Sequence, residues 1–166
     1  MIKSLLFDFS RTLLFPKDKQ YVGSLNELYR LKKDQVDFKF SDYFELNDKT
    51  INLLESLKDK YKLAIFTSDS IQNDPAIYNK LSSVFIKIYS AKEIGFSKSD
   101  PKAYELIVND LNLSPDEIVF IDDSKVNIDT ASIAKLDTIT YIGFNELAES
   151  FKERGISPQQ TDVHRP

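Results

Sequence analysis

The sequence predicts an α/β fold, a three-layer sandwich with helices on both faces of a five-stranded, mainly parallel sheet. Two observations carry this. Short apolar runs each stop on polar or acidic residues: Leu5-Leu6-Phe7 before Asp8, Leu63-Ala64-Ile65-Phe66 before Thr67, and Ile118-Val119-Phe120-Ile121 before Asp122. Runs of that kind, apolar without alternation, are the mark of central strands buried on both faces. Between them lie stretches whose apolar residues return every three or four positions, as on one side of a helix.

Taken in order, the first strand covers residues 2–8. A helix is expected over 24–31, where Leu25, Leu28 and Tyr29 share a face, and residues 37–44 are aromatic (Phe38, Phe40, Tyr43, Phe44) without a decisive period. These aromatics read as local core. Residues 48–59 form a firmer helix, with Asn47 or Asp48 as N-cap and Ile51, Leu54 and Leu57 on its apolar face. Strands follow at 62–67 and 84–89. Asp100-Pro101 opens a helix, aspartate capping it and proline in its first turn, with Tyr104, Ile107, Val108 and Leu111 as its stripe. Ser114 and Glu117 have capping-box spacing for a single turn. A strand at 118–121, a helix at 126–134, a strand at 138–142 and a helix at 145–153 complete a Rossmann-like alternation. One domain over 1–154 is expected, with residues 155–166 as a polar tail.

Composition removes several chemistries. The chain of 166 residues has no cysteine, which excludes disulfides, thiolate metal sites and cysteine nucleophiles, and its single His164 lies in the tail. A balance of 22 basic against 26 acidic residues, without runs of like charge, argues against nucleic acid or an anionic membrane surface as partner. No apolar run reaches spanning length and the N-terminus leads into a strand, so a cytoplasmic protein is expected.

In a parallel sheet all strands end on the same edge, where ligands bind. That edge would gather Asp8 with Ser10, Thr67 with Ser68, and Asp122 with Asp123, while Lys98 lies just before the Asp100 helix. Carboxylates crowded into one crevice repel and need a cation to stay ionised. A hard divalent ion such as Mg²⁺ suits oxygen donors, and a lysine and hydroxyls beside it would receive a phosphoryl group.

Four segments in order carry a resemblance: Leu5-Leu6-Phe7-Asp8-Phe9-Ser10-Arg11-Thr12-Leu13; Ile65-Phe66-Thr67-Ser68; Gly95-Phe96-Ser97-Lys98-Ser99-Asp100-Pro101; and Val119-Phe120-Ile121-Asp122-Asp123-Ser124 with Asn127. The chain resembles the haloacid dehalogenase-like (HAD) hydrolases over most of residues 1–147. The resemblance implies Asp8 as nucleophile forming an aspartyl-phosphate, Thr67 as donor to phosphate oxygens, and Lys98 as neutralising cation. It implies Mg²⁺ held by Asp8, Asp123 with Asp122 alongside, and the Ser10 carbonyl, with Asn127 reached through water. Ser68 and Arg11 join the expected substrate-binding set.

The departures are as informative. Ser10 stands where the family's phosphatases carry a second aspartate for acid–base work, and Arg11 stands at the usual glycine. A serine hydroxyl is too weak an acid and base for that role near neutral pH, and losing such help typically slows turnover by about 10²–10⁴-fold. Arg11 is expected to be solvated. The insertion between the first two motifs, about residues 15–46, is a very small helical cap, which implies an open site for a phosphorylated small molecule or macromolecule. The leading expectation is a Mg²⁺-dependent phosphatase with weakened acid–base catalysis. The alternatives are a catalytically impaired domain that binds phosphate or a partner, and then a 2-haloacid dehalogenase.

Overall fold

The computed structural model describes residues 1–158. The elements are β1 (Ser4–Phe7), β2 (Leu14–Pro16), α1 (Leu25–Lys32), α2 (Phe40–Tyr43), β3 (Phe44–Leu46), α3 (Asp48–Leu57), β4 (Lys62–Thr67), α4 (Pro75–Val84), β5 (Lys87–Ser90), α5 (Ala91–Ile94), α6 (Pro101–Leu111), β6 (Ile118–Asp122), α7 (Lys125–Ile133), β7 (Asp137–Thr140) and α8 (Phe144–Glu153). Five strands form one sheet in the order β5-β4-β1-β6-β7. Every pairing in it is parallel.

The alternation of side chains across the sheet builds two cores. Leu5 and Phe7, Leu63 and Ile65, and Val119 and Ile121 face α3, α4 and α8, whereas Leu6, Ala64, Phe66, Ile118 and Phe120 face α6 and α7. Both sides of the three central strands are thereby buried, which explains why their sequences show no polar alternation. On the second side Tyr104 stands edge-on between Phe66 and Phe120, with ring centroids 5.5 and 5.2 Å away.

Three differences from the sequence expectations have physical causes. The strand expected over 84–89 is shorter and later, because Val84 ends a helix, α4, that the sequence reading lacks. Asp74 caps that helix, accepting from the Ala76 amide at 2.9 Å, with Pro75 in its first turn. The insertion carries a small antiparallel ribbon of β2 and β3, in the register Leu14↔Leu46 to Pro16↔Phe44. Its aromatics are local core: Phe40 and Phe44 lie 4.9 Å apart between centroids, and Phe38 stacks on Tyr43 at 5.7 Å. Tyr29 in α1 donates its hydroxyl to Asp74 at 2.9 Å, so the insertion is bonded to the cap of α4. Finally, Ile156 is buried, and its amide donates to the Phe151 carbonyl at 2.8 Å. Residues 159–166, including His164, lie outside the described part of the chain.

Candidate active site

β1 and β6 run in register, Phe7 beside Ile121, and neighbouring strands stand about 4.8 Å apart. The next residues, Asp8 and Asp122, are therefore side by side at the edge of the sheet. The Asp8 amide extends the ladder, donating to the Ile121 carbonyl at 2.8 Å. Asp8 is 6% exposed and Asp122 1%, and Lys98, at 5%, is bonded to both: directly to Asp8 Oδ1 and at 2.8 Å to Asp122 Oδ2. Its ammonium also lies 5.4 and 5.6 Å from the ring centres of Phe66 and Phe120. Thr12 adds a hydroxyl donor 3.3 Å from Asp8 Oδ2.

Asp122 is the hub. Its Oδ1 accepts from the Ser124 amide at 2.7 Å, and its Oδ2 from Asn127 Nδ2 at 2.9 Å as well as from Lys98. Three donors leave this carboxylate oriented and well satisfied. Asp123 is more exposed, and its carboxyl is raised, first by desolvation and then by Asp122 beside it. Burial likewise pushes Asp8 up to about 7, against the pull of Lys98 and with the push of Asp122.

Sequence periodicity assigns Tyr104 only to the apolar stripe of α6, yet its hydroxyl donates to the Lys98 carbonyl at 2.8 Å and lies 3.3 Å from that of Asn127. It ties together the backbones that carry two of the three donors on Asp122. Tyr104→Phe is expected to destabilise the fold by about 1–3 kcal/mol, since it strands a buried carbonyl. Urea titration of the two proteins measures the difference.

Asp8, Lys98, Asp122, Asp123, Ser124 and Asn127 open onto a cavity of about 250 Å³ also lined by Ser10, Arg11, Ser24, Leu25, Asn26 and Ser68. Thr67 is not on its wall. Thr67 shares its strand parity with Leu63 and Ile65, which face the opposite layer, and Ser68 takes the lining position. Arg11 lines the cavity but is not the solvated side chain expected. Its guanidinium Nη2 donates to the carbonyls of Tyr21 at 3.0 Å and Gly23 at 2.8 Å, which commits it to the insertion. Its φ of +65° is the left-handed conformation that favours glycine, so the arginine is kept there against about 1 kcal/mol of backbone strain. Ser10 Oγ is buried and has no hydrogen-bond partner.

The donor set fits Mg²⁺. Oxygen atoms of Asp8, Asp122 and Asp123 all lie within 4.8 Å of one another, near the roughly 4.2 Å that is the widest separation of two oxygens on one such ion. Three carboxylates against a single lysine leave two negative charges, which a divalent cation balances. A pH dependence follows. Without metal, Asp8 holds its proton up to about pH 7 in the folded chain, whereas an unfolded aspartate loses it near its ordinary 3.8. Unfolding between those values releases a proton, so the metal-free protein should lose stability as pH rises from about 4 to 7 and then level off. Mg²⁺ competes with that proton. The rise in melting temperature on adding Mg²⁺ should be small at pH 5 and reach its plateau above 7, read by thermal denaturation across pH.

The family model described as haloacid dehalogenase-like hydrolase matches residues 5–135. No curated protein matches the chain. Among solved structures, a HAD family enzyme of Bacteroides thetaiotaomicron in complex with magnesium and inorganic phosphate superposes with a TM-score of 0.64 at 18% identity, over 84% of this chain and 94% of that one. A HAD-like family hydrolase of Porphyromonas gingivalis gives 0.63 at 18% identity, covering 93% and 98%. A 2-haloacid dehalogenase of Pseudomonas syringae gives 0.60 at 15% identity, covering 85% and 86%. At such identities the structural likeness is one of fold. With a model that matches most of its length and the fold to go with it, the chain belongs to the haloacid dehalogenase-like hydrolases.

Proposed function

We propose that the chain is a Mg²⁺-dependent phosphohydrolase working through an aspartyl-phosphate on Asp8. The observation that carries this reading is Lys98 held between Asp8 and Asp122 in a cavity of oxygen donors. Asp8, Asp123 and the Ser10 carbonyl would hold the metal, with Asp122 beside them. When bound, Mg²⁺ neutralises charge on the phosphoryl oxygens. Asp8 attacks phosphorus, and the bond to the leaving oxygen breaks with its electron pair on that oxygen. Water then attacks the aspartyl-phosphate, releasing inorganic phosphate and free Asp8. Lys98 favours the ionised form of Asp8 against the burial that raises it, and would face the charge that is transferred. Ser68, which lines the cavity, would donate to a phosphate oxygen, in the role the motif gives to Thr67.

The substrate is a phosphorylated small molecule or the phosphorylated end of a macromolecule. The haloacid reading fits less well, since hydroxyl, amide and charged side chains dominate the cavity lining. A phosphate-binding domain without turnover is the second reading, favoured by Ser10, which offers no acid. Hydrolysis of 4-nitrophenyl phosphate and acetyl phosphate with and without Mg²⁺ separates the two. Turnover should require Mg²⁺ and fall by at least about 10³-fold in Asp8→Asn, because the nucleophile itself is removed. Absence of turnover on both compounds at any Mg²⁺ concentration would leave the binding domain.

A further inference from the structure

Two residues that line the acidic cavity each carry a side-chain oxygen with nothing to bond to. Ser10 Oγ and Asn26 Oδ1 are both shut off from solvent and lack a hydrogen-bond partner, and both residues line that cavity. Buried polar atoms are almost always satisfied, so an orphan marks a partner still to arrive. These two come from unrelated places, the loop after β1 and the first turn of α1. Both oxygens lie behind the cavity surface, so each would meet a ligand only after a turn about χ1 of Ser10 or χ2 of Asn26.

The lining also says what the partner is not. Of the two cations among the described residues of the cavity, Lys98 is held by Asp8 and Asp122, and Arg11 by the carbonyls of Tyr21 and Gly23. Neither is free to meet a second negative charge. Arg11 has a further effect: it ties the loop that leads into α1 to the residue next to Ser10, so the two orphaned oxygens belong to one braced wall. The volume, about 250 Å³, falls below the roughly 300 Å³ at which pockets for drug-sized ligands begin.

We infer that Ser10 and Asn26 form a leaving-group subsite for small phosphate esters whose alcohol portion is uncharged and carries hydroxyl or N–H donors. The inference rests on the phosphohydrolase reading and adds a substrate class to it. Asn26 accepts from the leaving group, and Ser10 either accepts or donates. Asn26 is a specificity-determining residue of this site.

Glycerol 2-phosphate and isopropyl phosphate share a skeleton and differ by two hydroxyls, which makes them the matched probes. Their binding is measured by calorimetry on the Asp8→Asn protein with Mg²⁺, alongside inorganic phosphate. Glycerol 2-phosphate should bind at least about tenfold more tightly, equivalent to about 1.4 kcal/mol. Adding Asn26→Leu, or Asn26→Ala where leucine does not fit, should shrink that preference below about threefold. Equal affinities, or a preference that survives both substitutions, overturn the subsite. If inorganic phosphate binds while the esters are not distinguished, the subsite fails and the phosphohydrolase reading stands. If none of the three binds, the subsite falls, and the phosphohydrolase reading falls with it if inorganic phosphate also fails to bind the parent protein with Mg²⁺.

Discussion

Lys98→Met is expected to lower the stability of the metal-free protein by about 3–5 kcal/mol, the cost of leaving buried charges without their counterion. The side chain is almost fully enclosed and bonded to Asp8 and Asp122 at once, so no solvent replaces it. The loss should shrink as pH falls, starting above the parent's value of about 7, because without the pull of Lys98 the Asp8 carboxyl is raised further and takes up its proton earlier, removing one of the stranded charges. Mg²⁺ should restore much of the stability, since it supplies positive charge to the same carboxylates. It should not restore turnover, because the ammonium facing the transferred group is gone. Chemical denaturation at two pH values, with and without Mg²⁺, together with 4-nitrophenyl phosphate hydrolysis, tests all of this. A variant as stable as the parent at pH 8 without metal would mean that the buried carboxylates do not depend on this lysine.

Ser10→Asp should act in the opposite direction, raising turnover of alkyl phosphates by about 10²–10⁴-fold. An alkoxide leaves poorly without a proton, and a serine hydroxyl has none to give near neutral pH. A carboxyl at this position, beside Asp8 and the other acids, would have its own ionisation pushed upward, which suits a proton donor. The 4-nitrophenolate leaving group needs no proton, so its ester should gain far less. The comparison of kcat/KM for glycerol 2-phosphate and 4-nitrophenyl phosphate in parent and variant measures the effect. An equal change for both esters would show that loop geometry, rather than the missing acid, sets the rate.

The parts of the molecule legible from sequence are those whose signal is local. β1, β4 and β6 are enclosed on both faces, and their uninterrupted apolar runs say so directly. The ordering of Asp8, Lys98, Asp122 and Asp123 along the chain suffices to place them on one edge once the strands are parallel. α4 was legible in principle, since Asp74-Pro75 repeats the signal of Asp100-Pro101. Val84-Phe85-Ile86, an apolar triplet, draws the eye to a strand that begins only at Lys87. β2 and β3 have three residues each, too few for a period to show. Arg11 illustrates the harder limit: its partners are backbone carbonyls of Tyr21 and Gly23, which no side-chain pattern announces. The same holds for Tyr104, whose hydroxyl acts on a loop while its ring reads as ordinary core. The hidden oxygens of Ser10 and Asn26 depend on the meeting of two distant segments and have no signature in either.

The ribbon of β2 and β3 gives the insertion a narrow neck. Pro16 lies opposite Phe44, and the Lys17 amide still bonds to the Tyr43 carbonyl at 2.8 Å, so the segment between them leaves and returns through a gap one strand spacing wide. What lies beyond the neck is held by Leu25 and Phe40 in the core on this face and by the Arg11 and Tyr29 ties, not by strand pairing with the sheet below. Closing a longer segment across the same gap would add only about 0.6 kcal/mol per doubling of its length. The neck is thus a socket: modules of different size can be grafted there, changing what the enzyme admits, while the strands that carry the acids keep their register.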